Sequence, residues 1–242
     1  ADDSDTLQGG SFVGLSKVVD QTGVLSVNVD ELKADRFELR GGKSVEVITT
    51  QDFLLNGFVG GVSGFEYTGD VEITVNGALT LKGGIVGATE NLVVKAQSVA
   101  SDGASVFVAE DLQIESEGAV QANTLTDTIS VLVSDVDPTV DPAIEINEAD
   151  GLIVNNMVTN DGGISLSTGG DTTIHNMSNT ADGHDISLTI LGDVIVDRIE
   201  TGTAAGAQKT GGNVIIDTLG EVRELTTYAN VAAADLAGDS AY

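Results

Sequence analysis

The chain has 242 residues, with ten Lys and Arg against thirty-eight Asp and Glu, a formal net charge of −28 and no Cys. That balance excludes nucleic acid as a partner, because a polyanion needs a basic stripe to displace its counterions and the cations here are scattered singly. The same repulsion disfavours an anionic membrane surface, and the absence of cysteine excludes disulfides, thiolate zinc sites and a Cys nucleophile.

No apolar run reaches the roughly 18 residues that a membrane-spanning helix requires. The sequence starts at Ala1 rather than Met. A chain freed of its signal peptide and a piece of a longer protein both read this way. Aromatic residues make up only 4 % of the chain, with no Trp, two Pro and thirty Gly, so the expected core is narrow and aliphatic.

In chain order, residues 1–12 are acidic and Gly-rich and read as a flexible lead-in. Residues 13–225 follow with short stretches in which apolar and polar residues alternate. Val71 to Val75, Val106 to Val108, Leu112 to Ile114, Ile144 to Ile146 and Ile186 to Leu188 carry this strand signal. Residues 226–242 are Ala-rich and read as a C-terminal cap or a truncated coil.

The alternation is itself repeated. Ile144 to Met157 (IEINEADGLIVNNM) aligns with Ile164 to Met177 (ISLSTGGDTTIHNM), then with Ile186 to Ile199 (ISLTILGDVIVDRI), and Val214 to Leu225 continues the series at offsets of 20, 22 and 28 residues. VEVITTQDFLL from Val45 and VEITVNGALTL from Val71 fit the same template. A fixed period of this length implies a stacked architecture. The fold read from it is all-β, a right-handed parallel β-helix with coils of about 20–28 residues.

Equivalent residues then stack one coil apart. Ile164, Ile186 and Val214 form one inward file, Leu166, Leu188 and Ile216 a second, and Ile174 with Val196 a third. Gly170, Gly192 and Gly220 share a corner, where positive φ or close approach of successive coils calls for Gly. Asn155, His175 and Asp197 line up outside. Stacked like charges repel by about 0.9 kcal/mol per pair even in bulk water, a cost lowered by salt or bridging divalent cations.

The most acidic stretch runs from Ser134 to Asp150 and holds both prolines. Asp135, Asp137, Asp141 and Glu145 are the candidate Ca²⁺ ligands, although their spacing departs from an EF-hand loop and a solvated insertion between coils explains them as well. His175 and His184, nine residues apart, fit no helical zinc motif and read as surface residues. Phe53, Phe58, Phe65 and Tyr67 fall in one window. Without Trp, and with Phe53 at an inward position, they read as core or cap packing rather than a sugar-stacking shelf.

No Ser-His-Asp spacing, nucleophile elbow or phosphate-binding Gly loop occurs. Gly183-His184-Asp185 invites comparison with β-helix polysaccharide hydrolases, but their Arg-x-Lys partner is missing and Arg198 stands alone. No catalytic residue and no bound cofactor is expected, with Ca²⁺ the one candidate ion.

The runs ISLSTGGDTTIHNM, ISLTILGDVIVDRIETGT and GGNVIIDTLGEV resemble the repeats of filamentous-haemagglutinin-like bacterial exoproteins. The likeness covers residues 144–225 well and 45–133 loosely. It matches the repeat shaft and lacks the Asn-Pro-Asn motifs of the secretion module. It implies an extracellular or cell-surface rod with an adhesive, spacer or structural role. The partner would be a glycan or protein on a host or neighbouring cell, or copies of the chain itself. The low pI and missing Cys also resemble S-layer and sheath proteins, which implies a self-assembling subunit bridged by divalent cations. A polysaccharide-active β-helix enzyme is the third reading.

Overall fold

A computed structural model describes residues 4–8, 11–13, 18–20, 24–33, 37–41, 44–60, 69–134, 141–180, 183–202 and 211–224. Every strand pairing among them is parallel, and each strand pairs with those one coil before and after it. The fold is a parallel β-solenoid with coils of about 21 residues. Hydrophobic files and hydrogen-bonded ladders therefore run in the same direction, along the stack.

Three sides build the first half. Ser4–Gln8, Val24–Val29, Ser44–Thr49, Asp70–Val75 and Asn91–Ala96 stack on the first side. Phe53–Leu55, Ala78–Leu81 and Ser98–Ser101 stack on the second, and Val18–Asp20, Phe37–Gly41, Gly57–Gly60 and Ile85–Gly87 on the third. Ser11–Val13 pairs with Glu31–Lys33. Ser4–Gln8 falls within the acidic segment 1–12, while the Ala-rich segment 226–242 lies outside the described residues.

Alternation sends every second side chain inward, so like residues meet along each file. On the first side Leu25, Val45, Val71, Leu92, Leu112, Ile129, Val154 and Ile174 follow one another, and all are buried. On the second side Phe53, Leu79, Val99, Val120, Ile144, Ile164 and Ile186 do the same. The expected files of Ile164 with Ile186 and Val214, Leu166 with Leu188 and Ile216, and Ile174 with Val196 are present in register. Phe53 packs inward as expected and Phe58 is half-buried, while Phe65 and Tyr67 lie outside the described residues.

The two halves are not in phase with one template. Val45 and Val71 belong to the first side, whereas Ile144, Ile164 and Ile186 belong to the second. The true counterparts of Val71 in later coils are Val154 and Ile174. Both kinds of corner put a Gly between two alternating stretches, so the apolar pattern reads the same when the sides are exchanged.

The coil of residues 144–163 redraws the cross-section. Val120–Val133 still turns along the third side, with Thr124, Leu125 and Thr126 over Phe107, Val108 and Ala109. Above it, Ile144–Glu148 passes to Leu152–Thr159 through residues 149–151 alone, and the third side ends. The first side compensates with a bend: the register shifts between Ile129 and Ser130, and Leu152–Thr159 is followed above by two strands, Thr172–Ile174 and Met177–Asn179.

Gly170, Gly192 and Gly220 occupy the corner that replaces the third side, and close approach is what requires them. None has positive φ, yet a Cβ on Gly192 would lie 2.5 Å from Asp171 N and 2.6 Å from Gly170 C. Gly192→Ala is accordingly expected to cost about 1–3 kcal/mol, the range for overpacking a rigid contact. Gly103→Ala, where an added Cβ meets nothing within 4 Å, is expected to change stability by less than about 1 kcal/mol. Urea unfolding of the two variants checks the difference.

Candidate functional site

Acidic residues cluster at the starts of strands, and the geometry there explains their placement. Asp171 Oδ1 accepts the Asp193 N–H at 2.8 Å, and Asp193 Oδ1 accepts the Glu221 N–H at 2.9 Å. The same relation joins Asp52 to the Ala78 N–H (2.8 Å), Asp70 to the Asn91 N–H (3.3 Å) and Asp185 to the Asn213 N–H (2.6 Å). In each case a carboxylate caps the N–H of the residue stacked on it in the next coil. A strand that has not yet entered its ladder has a free donor there, and a short acceptor side chain directly below satisfies it.

Asp102 is a variant of this arrangement on the other edge. It accepts from the Ser105 hydroxyl at 2.6 Å and the Gly83 N–H at 3.1 Å, and these donors, Ser105 first, hold its carboxyl below the usual carboxylate range. Along the outward files, stacked like charges are flanked by donors. Glu46 lies under Glu72, but Ser26 Oγ donates to Glu46 at 2.8 Å and Lys95 Nζ pairs with Glu72 at 3.3 Å.

Of the four candidate Ca²⁺ ligands, Asp135 and Asp137 lie outside the described residues. Asp141 and Glu145 are engaged by different partners. Asp141 Oδ1 accepts the Gly163 N–H at 2.8 Å, and Glu145, facing outward on the second side, accepts from Gln121 Nε2 at 3.3 Å. Among the described residues no group of three or more His, Asp or Glu is placed to hold a metal ion.

His184 departs from the expected surface histidine. Its side chain keeps only 20 % exposure, with Nδ1 3.4 Å from Asp141 Oδ2 and Nε2 3.2 Å from Asp161 Oδ1. It thereby ties side chains of three successive coils. Asp161 went unnoticed in the sequence, though it sits one coil period after Asp141. His175 is half-buried at the new bend, stacked between Asn155 and Asp197 as the repeat alignment places it. Arg198, which seemed isolated, forms a two-pronged pair with Glu200 at 2.7 and 2.6 Å, and this pairing raises the arginine's pKa and lowers the glutamate's.

Among the described residues Glu148 is the one buried carboxyl, 5 % exposed. The alternation Ile144-x-Ile146-x-Glu148 already directed it inward, over Thr124 and under Thr168. Its Oε2 accepts the Thr126 N–H at 3.1 Å and its Oε1 the Ala149 N–H at 2.8 Å. The Thr124 hydroxyl stands beside it, buried and without a well-formed hydrogen bond. Burial, resisted by these donors, pushes the Glu148 carboxyl up to about 7.

An open groove of about 480 Å³ crosses the ends of the first-side strands, bordered by Thr74, Asn76, Lys95, Gln97, Glu115 and Glu117. Its lining mixes amides, hydroxyls and charges of both signs over several coils. No protein-family model, no curated protein and no solved structure matches the chain.

Asp171→Ala is expected to lower stability by about 1 kcal/mol, because the Asp193 N–H loses its acceptor, whereas Asp171→Asn, which keeps one amide oxygen, is expected to cost less than half as much. Thermal unfolding of the two variants side by side measures the cap.

Proposed function

We propose that the chain is a secreted or cell-surface β-solenoid with an adhesive, spacer or structural role and no catalysis. The observation that carries this reading is the inward packing of the apolar files through successive coils, which leaves outward faces that are mainly polar and acidic, with exposed aliphatic side chains such as Leu54, Leu132 and Ile153 among them. A surface of this kind presents the same chemistry repeatedly, and repetition multiplies weak contacts into avidity. The repeat resemblance described above supports an extracellular setting, and the partner it suggests is a glycan or protein on another cell.

Beads coated with the protein are expected to be retained on a panel of cell-surface glycans and proteins, with retention saturating and competed by soluble chain. Retention no greater than that of an unrelated acidic protein of equal charge, or release of unsaturated or reducing sugars from a polysaccharide panel, would defeat the reading.

A second reading, a self-assembling subunit, has its own observation. In the last described coil Val214–Thr218 and Val222–Glu224 each pair on one edge only among the described residues, and Val214, Ile215, Leu219 and Val222 are exposed. Exposed apolar side chains on a rung of this kind favour further parallel stacking. Under this reading, millimolar Ca²⁺ is expected to produce ordered fibres or lattices in electron micrographs and a chelator to dissolve them.

A further inference from the structure

Glu148 sits where two differently shaped parts of the solenoid meet. Below it, Thr124 to Thr126 form the last rung of the third side. Above it, no strand continues that side. The Thr126 N–H would otherwise face a missing rung, and the Glu148 carboxyl takes the place of the absent backbone acceptor. The same carboxyl holds the Ala149 N–H that begins the short corner.

Among the described residues no cation accompanies this buried group. The ionisable residues of the surrounding elements are Glu110, Asp111 and Glu115 of Val106–Ser116, Asp127 of Val120–Val133, Glu145 of its own strand and Asp150 of the corner, all acidic. The strand above, Ile164–Thr168, has none.

We propose that Glu148 is a proton-dependent fastener, closing the junction between the two parts of the solenoid when it carries its proton and loosening the Thr124–Leu152 corner when it does not. Protonated, the carboxyl keeps an acceptor for backbone N–H groups and gains an O–H. The Thr124 hydroxyl beside it can donate to the carboxylate or accept from the O–H, so what the proton removes is the buried charge itself. Ionised, it leaves a charge in the core beside Asp150, with the Thr124 hydroxyl and backbone N–H groups as donors but no cation to balance it.

The direction follows from the raised pKa. A carboxyl that titrates at about 7 in the closed corner, against the ordinary 4.5, favours closure fully at pH below about 4.5. That contribution is lost as pH rises through about 7. The device therefore tightens in acid and relaxes in mild alkali, opposite to a carboxylate held by a salt bridge.

Hydrogen exchange of the Thr126, Ala149 and Leu152 amides, corrected for intrinsic rates, measures the opening. In the wild type the opening equilibrium is expected to grow by up to roughly a hundred-fold from pH 5 to pH 8, while Ile73 and Ile186, remote from the corner, stay unchanged. Glu148→Gln, which mimics the protonated form, is expected to remove the pH dependence. Equal protection of the three amides at both pH values, or the same dependence in Glu148→Gln, overturns the proposal. Where the variant does not fold, the carboxyl carbon of Glu148 in the wild type decides by NMR: a midpoint within one unit of 7 supports the fastener and one near 4.5 overturns it.

Discussion

Parallel pairing with one coil of offset is the constraint from which the rest of this molecule follows. It places each residue on its counterpart in the coil below, so any property of a position is multiplied along the stack. An inward aliphatic residue meets another aliphatic residue and excludes water from both, as in the file from Leu25 to Ile174. An outward carboxylate meets the next outward carboxylate, and donors in the coils on either side offset the repulsion, as Ser26 and Lys95 do around Glu46 and Glu72. A corner residue meets the backbone of the coil beneath, which leaves no volume for a Cβ at Gly192 or Gly220.

How far the sequence discloses this depends on how distinctive each corner is. The described residues between Ile144 and Glu224 were legible in register: Met157 stacks under Met177 and Met177 under Ile199, as the alignment of the repeats has it. The signal there is the Gly-Asp pair, in which Gly admits the lower coil and Asp caps the N–H above it. The first half uses the same chemistry at another corner. Gly77 lies against Asp52, and Asp52 caps Ala78, just as Gly192 lies against Asp171, which caps Asp193. A pattern that records only an apolar alternation, a Gly and a second alternation cannot distinguish the two corners, and so it aligned Val71 with Ile164 across different sides. The partners of individual carboxylates were less legible. Asp161 and Glu148 make sense only once coil period and inward direction are combined, and Arg198 only once its rotamer reaches Glu200.

Two buried polar atoms among the described residues lack hydrogen bonds, Thr124 Oγ1 and Asn176 Oδ1, and their positions are informative. Thr124 stands where the third side ends. Asn176 stands at the new bend of the first side, where its Nδ2 donates to Asn156 Oδ1 at 2.6 Å. A uniform solenoid satisfies polar groups by repetition, since an acceptor in one coil is followed by a donor in the next. Where the cross-section changes, that periodicity is interrupted and local side chains must substitute for it. Glu148 is such a substitute, and its burial there raises its carboxyl to about 7 against the N–H groups it serves, which hold it down.

The net charge of −28 reads differently in this light. A count of carboxylates suggests a metal-loving surface, but Asp52, Asp70, Asp171, Asp185 and Asp193 are already bonded to N–H groups that the stacking geometry leaves otherwise unmet. Each such cap lowers the number of free ligand oxygens while leaving the long-range field unchanged. The field therefore measures solubility and repulsion between copies, whereas recognition depends on the side chains that carry no such duty. Those lie on the outward rows of the strands and in the groove beside Lys95 and Gln97, where amides and hydroxyls of neighbouring coils stand together.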